Sequence, residues 1–98
     1  MSLKTTLLPP KLPINLPKTA QWLAGEGAGS WFVIEPKAID FEIKRYSPEG
    51  NLECEGLFQY ENQKEFNIEK DYQFTHLSHC KTVRIIQQNI TFIFERVT

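Results

Sequence analysis

The chain has little of what usually announces a function. It holds two cysteines in 98 residues, too few for a disulfide framework, so reduced thiols and a cytoplasmic location are the expectation. No apolar run approaches the ~20 residues of a membrane-spanning helix. Pro9, Pro10 and Pro13 interrupt the N-terminal stretch and leave no signal-peptide pattern. There is no basic excess: 11 Lys and Arg stand against 12 Asp and Glu, a formal net charge of -1. That balance argues against a nucleic acid or a membrane surface as partner. Gly25, Gly27 and Gly29 alternate as in a phosphate loop, but a helical pattern precedes them and a strand follows, the reverse of the dinucleotide order. We read them as a tight reversal that brings Trp31 close to the backbone. Nothing points to a cofactor.

What is present is aromatic. Seven Phe, three Tyr and two Trp suffice for the core of one domain. Residues 1–16 carry Pro9, Pro10 and Pro13 and read as an extended arm, its Leu7, Leu8, Leu12, Ile14 and Leu16 too apolar for a free tail. Such an arm lies on its own domain or reaches a second copy, giving a homodimer. Residues 17–98 form a single β-meander domain. Pro17 suits a first helical turn and Gly25 a C-terminal stop, so one short helix is expected over Pro17–Ala24. Strands follow at 29–35, 38–46, 51–61, 64–68, 72–78, 82–87 and 90–97. The clearest alternation is Ile39, Phe41 and Ile43 against Asp40, Glu42 and Lys44. Ser47-Pro48-Glu49-Gly50 and Gln88-Asn89 read as turns. Turns recurring every ~8–12 residues indicate an all-β fold. We expect an antiparallel up-and-down meander of about seven strands in a small or partial barrel, since closure removes exposed edges.

A short helix, Gly29-Ser30-Trp31 opening the first strand, and Arg96 on the last strand together resemble the lipocalin-like (calycin) pattern. The resemblance implies that Arg96 packs across Trp31 at the closed end of the barrel. The stretches from Trp22 to Trp31, Arg45 to Gly50 and Leu77 to Cys80 also resemble small bacterial proteins assigned to a domain of unknown function, which implies no activity.

Three groups of residues are candidate sites. A pocket at one barrel mouth, edged by Trp31, Tyr60, Tyr72 and His76, would take a small apolar ligand. His76, His79 and Cys80 carry zinc-ligand chemistry and, with Cys80 as nucleophile, the parts of a small hydrolase-type enzyme. However, an offset of three puts His76 and His79 on opposite strand faces. The alternating carboxylates Asp40, Glu42, Glu53 and Glu55 read as the solvated face of half-buried strands. The expectation is a non-enzymatic domain that binds a small ligand or another protein chain. Structural zinc, or the small enzyme, is the alternative.

Overall fold

The computed structural model describes residues 9–25, 28–60 and 65–98. Seven strands make one sheet: β1 (Gln21–Gly25), β2 (Ala28–Pro36), β3 (Phe41–Tyr46), β4 (Leu52–Tyr60), β5 (Gln73–Ser78), β6 (Thr82–Gln87) and β7 (Ile90–Arg96). The order across the sheet is β1-β2-β3-β4-β7-β6-β5. All six pairings are antiparallel. The protein is thus all-β, as the sequence indicates, and its sheet curls into a nearly closed barrel that fits the lipocalin-like topology. It departs from a plain up-and-down meander at one step. After β4 the chain crosses to the far edge, and β7 rather than β5 lies beside β4. The molecule is two meanders, β1–β4 and β5–β7, joined at β4 and β7.

That join is short. β4 and β7 share three register pairs, Phe58 to Tyr60 against Phe94 to Arg96. Beyond them Val97 N–H donates to Leu57 O at 2.7 Å, and Leu57 N–H to Thr98 O at 3.3 Å. The other seam, between β1 and β5, carries no backbone ladder among the described residues. Six successive antiparallel pairings leave the first and last of seven strands pointing the same way, so an antiparallel ladder cannot close the barrel. The Gln21 side chain bridges it instead. Its Nε2 donates to Tyr72 O at 2.8 Å, and its Oε1 accepts from Phe74 N–H at 3.1 Å. One amide side chain stands in for a strand partner.

The helix expected over Pro17–Ala24 is not there. Pro17 to Ala20 make one turn, closed by Ala20 N–H to Pro17 O, and β1 begins at Gln21. The stretch is too short for its local preference to decide. Pairing with β2 decides instead, with Trp22 opposite Trp31 and Gly29 opposite Ala24. A second correction concerns 64–68. Residues 65–72 form no strand but a loop, with a turn at 68–70.

Phenylalanine fills the inside. Phe32, Phe58, Phe66, Phe74, Phe92 and Phe94 belong to one buried cluster with Ile34, Ile43, Val83 and Ile85. Phe58 and Phe94 are wholly buried, each such ring contributing about 2–3 kcal/mol. Tryptophan lies outside. Trp31 and Val33 alternate with Phe32 and Ile34 along β2 and so face away from the interior, yet both are buried. Leu16 is buried too, outside the interior cluster. The arm lies against the Ser47–Gly50 turn, where Pro13 and Asn15 crowd Gly50. It turns at Leu16 N–H to Pro13 O, and Asn15 Nδ2 donates to Gly50 O at 3.1 Å. Leu7 and Leu8, expected in the same arm, lie outside the described residues.

Several turns are as read. Gly50 takes φ 97° and ends the Ser47–Gly50 turn, its N–H donating to Ser47 O. Gln88 and Asn89 have φ of 53° and 65°, the left-handed pair that a two-residue antiparallel hairpin requires. His79 and Cys80 repeat it at 50° and 57°, closed by Lys81 N–H to Ser78 O at 2.8 Å.

The cysteines overturn an expectation. Cys54 and Cys80 are joined as a disulfide, and neither is free. Among the described residues, no helix is long and apolar enough to cross a membrane.

Candidate functional site: the aromatic mouth

One end of the barrel gathers the side chains with most to offer a ligand. The loop after β4 turns Phe66 inward. The ring stands edge-on to Phe41, Tyr72, Phe92 and Phe94 at 5.4 to 5.6 Å between centroids, the favoured geometry for aromatic pairs. Phe66 is a plug. Gln87, buried at the end of β6, holds the loop that carries it. Its Oε1 accepts from Asn67 N–H at 3.0 Å, and its Nε2 donates to Asn67 O at 2.6 Å and to Lys70 O at 3.3 Å. The amide pairs with Asn67 as a neighbouring strand would. Asn67 Oδ1 also accepts from Glu69 N–H, which stiffens the turn.

Tyr60 and Tyr72 flank the plug. Tyr60 packs edge-on against Phe92 and Phe94, and Tyr72 against Phe66 and Phe74. Burial raises the Tyr72 phenol above its ordinary value of 10.0, because the phenolate would lose its hydration. Outside the plug lies an open groove of about 350 Å³ lined by Pro36, Phe41, Tyr60, Phe66, Ile68 and the polar Glu65, Asn67 and Glu69. Its floor is aromatic and its rim carries carboxylates.

The four residues expected to edge one mouth therefore separate. Tyr72 packs on the Phe66 ring, and Tyr60 lines the groove beside it. Trp31 stands on the outer face, edge-on to Trp22 at 5.2 Å, its buried indole N–H without an acceptor among the described residues. Gly29 makes room for that pair, since any Cβ there would overlap the Trp22 ring. The glycine thus serves Trp22 rather than Trp31. His76 is exposed and shares no face with Tyr72 and Phe74. The β5–β6 register slips between Phe74 and His76. Thr75 is the extra residue, its hydroxyl donating to Arg84 O, and one inserted residue turns the next side chain to the other face.

The zinc and nucleophile readings meet the disulfide. In it Cys80 has no thiolate to offer as a ligand or nucleophile. Among the described residues, no three His, Cys, Asp or Glu side chains are grouped to hold a metal ion. The carboxylate rows are engaged at the surface. Glu42 lies near Lys37 and Lys44, and Glu53 lies 3.2 Å from Arg45. Asp40 accepts from Gln59 at 2.6 Å. Arg96 is not placed across Trp31. It lies over Gly56, where a Cβ would come within 2.8 Å of its Nε.

Sequence reasoning missed Gln21, Gln87 and Phe66. For Gln87 a signal exists: it follows Val83 and Ile85 at the same two-residue step, so it falls on the inner face where a polar side chain needs a purpose.

No curated protein and no solved structure matches the chain. A family model does: residues 20–97 match the DUF6695 C-terminal domain, and the chain belongs to that family, a domain of unknown function.

Proposed function

We propose that the domain is a non-enzymatic binding module that takes a small, largely apolar ligand in the groove over Phe41, Tyr60 and Phe66. The observation that carries this is the contrast between a filled interior and an open aromatic mouth. Small barrels either fill their interior or hold one ligand. Here Phe66 fills it, and partly buried rings remain at the rim. Aromatic surface with a few convergent polar groups is what orients a small ligand. Titrating the ¹⁵N-labelled protein with indole and with p-cresol tests this reading. Amide shifts should concentrate at Phe41, Tyr60, Phe66 and Asn67 and saturate. Shifts scattered over the barrel, or none at millimolar probe, would remove it.

A second reading, a protein-interaction domain, draws on the seam. β1 and β5 each have a ladder on one side only, and unpaired strand edges are where another chain can add a strand. Native mass spectrometry of the purified protein separates the two. A dimer favours the edge, and a monomer carrying a small organic adduct favours the groove.

A further inference from the structure

The end of the barrel away from Phe66 holds a second chemical feature. Cys54 lies on β4 and Cys80 in the tight turn between β5 and β6, their Cα atoms 6.3 Å apart. The bridge therefore ties the first meander to the second, close to their short backbone join.

The Arg96 guanidinium lies against one of its two sulfurs. Nη1 is 3.4 Å from Cys80 Sγ and 3.4 Å from Cys80 O, while Nε donates to Thr98 O at 2.7 Å. Gly56 clears the space, since a Cβ there would meet both Arg96 Nε and Thr98 O at 2.8 Å. The two sulfurs thus differ. A cation at hydrogen-bond range lowers the pKa of a thiol and so makes that sulfur the better leaving group. The cation nearest Cys54 in the ladder, Arg45, is turned to Glu53 at 3.2 Å. His79 and Lys81 flank Cys80 in the chain, and both are exposed.

We propose that Cys54–Cys80 is a thiol–disulfide exchange site, that its substrate class is a dithiol, and that Arg96 directs the exchange so that Cys80 leaves. The incoming thiolate bonds to Cys54 Sγ. The Cys54–Cys80 bond breaks, and its electron pair goes to Cys80 Sγ beside the guanidinium. The second thiol of the reductant then attacks the mixed disulfide and releases Cys54. The reductant ends as a disulfide, and the protein has gained two electrons and, with protonation, two protons. Arg96 acts through Cys80 and is a positioning residue. Opening the bridge releases the β5–β6 turn from β4, so the redox state of the surroundings is written into how firmly the two meanders are held together.

The test is a map of attack. The oxidised, folded protein is exposed to glutathione as a monothiol probe, quenched with iodoacetamide, and digested for mass spectrometry. Glutathione should be found mainly on Cys54 and the alkyl group on Cys80, by roughly threefold or more. In Arg96→Gln the preference should fall to near parity, and opening by dithiothreitol should slow by several-fold. Arg96→Lys keeps the charge and should recover part of the preference. The wild-type map needs no variant, so it stands even if Arg96→Gln folds poorly. Glutathione mainly on Cys80, an even split in the wild type, or a bridge that dithiothreitol opens only after denaturation would each overturn the proposal.

Discussion

Where β4 meets β7, the two meanders share three backbone register pairs, further main-chain bonds to the C-terminal residues, a disulfide and a guanidinium. Where β1 meets β5, the described residues show one glutamine side chain making two hydrogen bonds. The difference follows from counting. A sheet in which every neighbour is antiparallel can close on itself only with an even number of strands. With seven, one seam has to be of another kind. The chain places its covalent bond at the seam that already has a ladder and leaves the odd seam to one side chain, which costs less to detach than a ladder and a disulfide together. The β1–β5 side is therefore where the barrel opens first.

The comparison can be broken from either side. Replacing both cysteines by serine removes a link across a sequence separation of 26 residues, and the chain-entropy account puts the loss at about 3 kcal/mol. Denaturant titration of the double variant against the oxidised protein checks it. Gln21→Ala strips the partner from Tyr72 O and Phe74 N–H. It should cost about 2 kcal/mol, the scale of leaving such groups unsatisfied. Its hydrogen-exchange signature is the sharper readout, with protection lost at Phe74 and its β5 neighbours while β4 and β7 keep theirs. Equal loss on both sides would mean the seams are one cooperative unit. The smallest effect is with pH. Burial raises the Tyr72 phenol in the folded state. Below its ordinary value of 10.0, the phenol is protonated whether the chain is folded or not, and stability is intact. Above it the unfolded chain ionises first, so stability falls until the pH passes the raised folded value. Tyr72→Phe should flatten that alkaline fall and leave neutral stability nearly unchanged.

The same two seams show what the sequence could and could not convey. Strands with strict alternation, such as Phe41 and Ile43 or Phe92 and Phe94, were legible because one face is wet and the other dry. β1 was not. Five residues around Trp22 and Leu23 suit a helix turn as well as a strand, and only the partner across the reversal chooses. Phe66 and Ile68 stand two apart and read as a strand, but they belong to a loop pinned by Gln87 from another element. The disulfide depends on β7 lying beside β4, a crossover that local pattern does not encode. Of the four aromatic and histidine candidates, Tyr60 lies against Phe92 and Phe94 and Tyr72 against Phe66 and Phe74. His76 was lost to the extra residue at Thr75, which no composition rule flags, and Trp31 to the outward side of a strand buried on both faces.

The partition of aromatic types gives the molecule two separate optical voices. Both tryptophans sit on the outer layer, with rings 5.2 Å apart and 63° between their planes. They are near enough for their excited states to couple in circular dichroism. The interior rings are phenylalanine with Tyr60 and Tyr72 packed against them, while the third tyrosine, Tyr46, stands opposite Trp31. Light absorbed by the coupled indoles therefore reports the outer layer, while the phenols of Tyr60 and Tyr72 lie with the Phe66 plug and the groove above it.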